Sequence, residues 1–234
     1  MIKYQKKISL PSVALFAVLL IACSDNGTSA ESEGTFDANI ACPVDGLNAF
    51  GEPNRGTFTD ERDGQVYKYT TIGNQVWMAE NLKFNDSSPC AEESCSSKGR
   101  IYGMTNALKS CPNGWHLPSN DEWQELFKSV GGIDSAGIRL KATAGWTPLN
   151  AGQASNGTDD CGFTLLPIPV SGIYTNSYGG KKNDGYAAIT WTSSLASSDD
   201  YSMLGILIET QNIYAKVTTY YDEWDYLSVR CVKD

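Results

Sequence analysis

The 234-residue chain has one histidine, which excludes a histidine-rich metal centre and any pair of catalytic imidazoles. Basic side chains are also scarce, with 18 Lys and Arg against 27 Asp and Glu and a net charge of −9. Three of those lysines, Lys3, Lys6 and Lys7, precede residue 22, a stretch with no acid, so the rest of the chain carries about −12. That balance argues against nucleic acid as a partner and against direct adhesion to anionic lipid. It is compatible with neutral glycans, cationic surfaces or a divalent metal. No apolar run reaches the roughly 20 residues that a membrane-spanning helix needs. There is no internal repeat, and the cysteine spacings lack paired C-x-x-C units, which disfavours a zinc site.

What is present begins at the N-terminus. The three lysines followed by the unbroken apolar run over residues 13–22 read as a cleaved export signal. The run ends in Leu20-Ile21-Ala22-Cys23, which resembles the lipobox of bacterial lipoproteins. That resemblance implies cleavage after Ala22 and acylation of Cys23, with several acyl chains giving stable anchoring. The competing reading is an ordinary signal whose cysteine enters a disulfide. Residues 24–35, SDNGTSAESEGT, contain no large apolar side chain and are expected to form a flexible tether. Ser24 is not the aspartate that holds some lipoproteins at the inner membrane, so the outer membrane is the expected destination. The expected organisation is a signal peptide over 1–22, lipidated cysteine and tether over 23–35, an N-terminal extension over 36–56 and a folded domain over 57–234.

Beyond Cys23 six cysteines remain, an even number in an exported chain, and six permit 15 pairings. Cys90 and Cys95 flank the polar loop AEES and form the obvious local pair. Cys111 precedes a capped helix and Cys231 lies in the last expected strand, so their union would tie the chain's end to the core. Cys42 and Cys161 are then left for each other.

The helix after Cys111 has the clearest local code. Ser119 and Glu122 have the S-x-x-E spacing of a capping box, and Trp123, Leu126, Phe127 and Val130 recur as one apolar stripe. Gly131-Gly132 ends it. A second short helix is expected near residues 136–142. Strands are expected over 57–61, 65–72 and 75–78 as a meander, with 101–108 starting as strand and ending as helix. Further strands are expected over 189–192, 203–208, 213–218 and 227–232, with a long polar loop over 146–162. Pro167 and Pro169 make 163–174 an irregular or edge segment. Two helices among short antiparallel strands and long loops describe a compact, disulfide-stabilised α+β domain.

Several segments, in order, resemble the Fibrobacter succinogenes major paralogous domain family: DGQVYKYTTIGNQVWMAENL (63–82), GRIYGMTNAL (99–108), CPNGWHLPSNDEW (111–123), LKATAGW (140–146), NGTDDCGFTLLP (156–167), WTSS (191–194) and SVRCVKD (228–234). The family is similar in pattern to the C-type lectin-like fold, which is the architecture the resemblance implies. Cys161 departs from the family pattern, which looks aromatic there, so a bond to Cys42 would belong to this branch. LPSNDEW is also similar to the L-P-T-x-x-E-W stretch of formylglycine-generating enzymes, which share that fold. Those enzymes need a reactive, copper-bound cysteine pair, whereas every cysteine here has a disulfide partner to hand.

The remaining candidates are loops. His116, set between Trp115 and Leu117, reads as structural rather than as the base of a triad. Glu52-Pro53-Asn54 matches a lectin sugar motif in letters but precedes the first strand, and is a coincidence. Asn156, Asp159 and Asp160 could offer oxygens to calcium, against an Asx-rich turn, which is favoured. No other cofactor is expected. In TTYYDEWDY (218–226), Tyr220, Tyr221 and Trp224 alternate with Asp222, Glu223 and Asp225, a composition suited to sugar rings and hydroxyls or to a peptide. The alternative there is a tight loop whose aromatics cover the core. The expected function is non-catalytic binding of a glycan or protein at the cell envelope. A structural envelope protein is the second reading, and an enzyme of the formylglycine-generating type the third.

Overall fold

A computed structural model describes residues 35–92, 95–168, 185–198, 202–221 and 225–234. Cys23, the proposed tether up to residue 34, Asp222 and Trp224 lie outside the described residues.

The chain is mixed α+β, with ten strands and four helical segments among the described residues. β1 (Arg55–Thr59), β2 (Val66–Ile72) and β3 (Gln75–Met78) form the expected antiparallel meander, turned at Asp63-Gly64 and at Gly73-Asn74. The first sheet is completed by β10 (Val232–Lys233) and β5 (Trp115–His116), in the order β1-β2-β3-β10-β5. The second sheet has the order β4-β9-β6-β7-β8. Its members are β4 (Ile101–Tyr102), β6 (Ala187–Leu195), β7 (Ser202–Glu209), β8 (Lys216–Tyr221) and β9 (Leu227–Ser228).

Two expectations need correction. Residues 227–232 are not one strand. β9 pairs with β4 and β6 in the second sheet, the chain crosses over at 229–231, and β10 pairs with β3 and β5 in the first. Cys231 therefore sits in the crossover rather than within a strand. The strand expected from 213 begins only at Lys216, because Ile213 O accepts from Ile138 N–H at 2.9 Å and Ala215 N–H donates to Ile133 O at 3.0 Å. Those backbone groups are used by a helix and are lost to the ladder.

Among the described residues the helical segments number four. α1 (Ala38–Ala41) and α2 (Met104–Ala107) are single turns, while α3 (Asn120–Ser129) and α4 (Ile133–Leu140) are the substantial pair. Of the single turns, α2 is the helical end expected of 101–108 and α1 was not expected. α3 starts where its code places it. Ser119 Oγ accepts from Glu122 N–H at 3.2 Å, and the Glu122 carboxylate accepts from Ser119 N–H at 2.7 Å. It ends at Gly131 and Gly132, whose φ values of 86° and 93° favour glycine.

The α3 stripe is buried as its spacing requires. Trp123 packs 4.7 Å from Trp77 and 5.9 Å from Phe163, ring centre to ring centre. This cluster includes Leu140 of α4 and takes Ala188, Ile206 and Ile208 from one face of the second sheet. The sheet's other face supplies Ile189, Trp191, Met203 and Tyr220 to a second cluster with Tyr67, Tyr69 and Met78. The second sheet is thus buried on both sides at its centre, where β7 and the first half of β6 are mostly apolar.

Three disulfides close the domain. Cys42 is bonded to Cys161, Cys90 to Cys95 and Cys111 to Cys231, with Cα–Cα separations of 5.4, 4.7 and 5.9 Å. No helix among the described residues is long and apolar enough to cross a membrane.

Candidate functional site

β8 is the outermost strand of the second sheet, and its outer edge has no strand partner among the described residues. Its β-branched and aromatic sequence, KVTTYY, suits a pleated edge. Side chains alternate across a strand, so neighbours in sequence meet opposite environments. Tyr220 points inward. It is 1% exposed, and its ring stands edge-on to Trp191 at 6.0 Å, leaving no free face for a ligand. Tyr221 points outward and is 54% exposed, in a row with exposed Val217 and Thr219. The row carries no charge.

Asp225 does not face solvent as a carboxylate for sugar hydroxyls would. It is buried, and its Oδ2 accepts from Tyr221 N–H at 2.8 Å, while Asp225 N–H donates to Tyr221 O at 3.1 Å. Burial raises its pKa, against the pull of the Tyr221 amide. Asp225 thus holds the Tyr221 backbone at the end of β8. An inward-folded acid looks the same in sequence as an exposed one, which is why the alternating pattern did not separate them.

The calcium candidates have other work. Asn156 Oδ1 accepts from Trp146 N–H at 3.1 Å. Asp159 accepts from Thr164 N–H at 2.7 Å and from its hydroxyl at 2.9 Å. Burial raises the pKa of Asp159, and these bonds to Thr164 oppose the rise. Asp160 pairs with Arg139 at 3.8 Å. These groups brace their own loop, and no cluster of three acidic, cysteine or histidine ligands occurs among the described residues.

His116 is tied at both nitrogens, with Nδ1 2.6 Å from Asp234 Oδ1 and Nε2 2.7 Å from Glu122 Oε1. Burial lowers its pKa, but hydrogen bonds to Asp234 and Glu122 outweigh that and raise it. Neither nitrogen is left for a serine. The Ser119 hydroxyl is instead 2.9 Å from the other oxygen of Glu122.

Two buried cations were not anticipated. Lys141 Nζ donates to Thr210 O at 3.0 Å and Asn212 O at 3.1 Å, and burial pulls its pKa down to about 8. Arg230 Nη2 donates to Asn81 Oδ1 at 2.9 Å, beneath the Phe163 ring. Both hold loops in place. The turn residues 210 and 212 and the segment 163–164 carry no sequence mark that would announce such a partner.

Two surface clefts lie among the described residues. One of about 280 Å³ lies between Asp60, Arg62, Asn113 and Trp115, but its aromatic wall is committed, with Phe58 stacked on Trp115 at 4.3 Å. Another, open and polar and of about 440 Å³, lies beside the Cys90–Cys95 bond between Gln65, Lys83 and Arg100. Arg100 there donates to the main-chain oxygens of Lys83 and Ser88.

The sequence model of one family, described as the Fibrobacter succinogenes major domain, matches residues 70–233. The match takes in the second sheet, β3, β5 and β10 of the first, α2 to α4 and the Cys111–Cys231 bond; it begins within β2 and leaves out Cys42 and β1. No curated protein and no solved structure matches the chain.

Proposed function

The chain belongs to the Fibrobacter succinogenes major domain family, and from that premise we propose a lipid-anchored envelope protein whose domain binds a partner without catalysis. The domain takes a C-type lectin-like arrangement, and Cys23 carries the anchor, in the outer membrane. The observation that carries the binding reading is the uncharged, outward row Val217, Thr219 and Tyr221 on a strand edge with no partner among the described residues. A tyrosine ring flanked by a hydroxyl and a methyl-bearing side chain suits a neutral sugar ring or an extended peptide. Asp222 and Trp224, next along the chain, extend that chemistry.

Support against the enzyme reading comes from the cysteines. All six after Cys23 are in disulfides, so none is free to hold copper or attack a substrate. A structural envelope role is favoured by the same free edge, which could pair with another subunit.

A glycan array and envelope-protein capture with the mature protein test the reading. Tyr221→Ala should weaken the interaction about tenfold with an unchanged melting temperature, while Tyr220→Ala should cost about 3 kcal/mol of stability. Equal destabilisation by the two substitutions, or undiminished binding by Tyr221→Ala, would remove the β8 row as the site. Protease shaving of intact cells checks the location.

A further inference from the structure

The three most exposed large hydrophobic side chains among the described residues are Ile40, Leu47 and Val44, at 81%, 69% and 61%. All lie within one short stretch, and Phe50, 46% exposed, follows. That stretch is built as a loop on the end of β2. Gly73 N–H donates to Ala41 O at 2.7 Å and Thr71 N–H to Asn54 O at 2.8 Å, so both ends rest on neighbouring residues. The Cys42–Cys161 bond pins its start, and an isolated bridge between Leu47 and Pro53 narrows its tip. This is the Ω form, a compact loop with adjoining ends. A loop so fixed cannot collapse to hide its apolar side chains.

We propose that this loop rests in the interface of the bilayer that holds Cys23, docking the domain on the membrane. The proposal depends on the lipid-anchor reading. The occupant follows from the chain itself. From Cys23 to Asp37, the N-cap of α1, the chain reaches at most roughly 50 Å. The loop is the first element after the anchor, so the local concentration of lipid around it is high. Its charge selects the kind of surface. Between Cys23 and Arg55 there is no lysine or arginine against six acids, Asp25, Glu31, Glu33, Asp37, Asp45 and Glu52, and Lys233, a cation that reaches the loop, is paired with Glu52. The interface it fits is therefore zwitterionic rather than anionic.

The test uses the full mature lipoprotein in phosphatidylcholine vesicles with acyl-chain bromines near the headgroup. Leu47→Trp places a reporter at the exposed tip. Trp77, Trp115, Trp123, Trp146 and Trp191 are buried and form a constant background, and the sixth tryptophan, Trp224, is replaced by phenylalanine in both the reporter and the parent protein. Quenching should be about twofold greater for Leu47→Trp than for the parent protein, and should fall when anionic lipid replaces half of the phosphatidylcholine. Replacing Ile40, Val44 and Phe50 with serine in the reporter protein should abolish the excess while flotation with vesicles persists. Flotation without excess quenching overturns the proposal and leaves the anchor intact. Failure to float overturns the anchor reading and this proposal with it. Protection of the loop only when other envelope proteins are added assigns it to a protein partner, which also overturns the proposal.

Discussion

Arg230 shows what a single residue contributes to this core. It is 1% exposed, and its guanidinium serves Asn81 Oδ1, Phe163 O and Thr164 O while lying 4.4 Å from the centre of the Phe163 ring. Among the described residues no carboxylate bonds it directly. Burial lowers its pKa to about 9, while the charges of Asp159 and Glu80 oppose the fall, so it stays charged at neutral pH with its hydrogen bonds to Asn81 and the 163–164 carbonyls in place of water. A planar fork spreads five donors over acceptors on separate segments, whereas the three donors of an ammonium radiate from one nitrogen. Arg230→Lys and Arg230→Met are both expected to cost about 2–4 kcal/mol in urea denaturation, since each leaves buried acceptors unpaired. A lysine variant as stable as the parent would show that charge alone suffices. The position was visible in SVRCVKD, but its role was not, because Asn81 and Phe163 are remote in sequence. Tyr220 and Tyr221 make the same point at the candidate site. Their identities were legible, but which of the two faces solvent depends on the strand's register.

At the scale of elements, α3 is the best-encoded part of the chain and also a latch. Glu122 closes the capping box and binds His116 of β5, which in turn binds Asp234 just beyond β10. Ser119→Ala should therefore cost about 1 kcal/mol, read by thermal melting. The latch also depends on pH. The raised pKa of His116 means that its contribution is complete below the unfolded value of 6.5 and is lost as pH rises through the folded value. Burial raises the Glu122 pKa, but bonds to Ser119 and His116 outweigh that and lower it, so its contribution is present above the unfolded value of 4.5 and is lost on acidification. Melting temperature should be greatest between those limits, and His116→Gln should flatten the alkaline side of the profile. An unchanged alkaline limb in that variant would exclude the histidine as its source. The local code specified the cap and the stripe, which are interactions over three or four residues. It could not specify Asp234, which is 118 residues away from His116.

For the whole molecule, the disulfides divide into one short tie and two long ones. Sequence separations are 119 for Cys42–Cys161 and 120 for Cys111–Cys231, against 5 for Cys90–Cys95. Loop entropy lost from the unfolded chain predicts roughly 5 kcal/mol for each long bond and roughly 2 kcal/mol for the short one. Paired Cys→Ala replacement at 42 and 161 should therefore lower the denaturation midpoint more than replacement at 90 and 95, and the reverse order would refute the entropic account. The amino-acid sequence by itself determined the α+β class, the meander, the capped helix and the pairing of Cys90 with Cys95. Each of these rests on contacts between near neighbours or on a periodicity that survives without knowledge of the rest. Tertiary structure alone decided that residues 227–233 serve two sheets, that Lys141 and Arg230 are buried anchors, and that Asp225 turns inward beneath Tyr221. Those outcomes depend on which remote backbone carbonyls and ring faces are brought within reach, and only the packed sheets decide that.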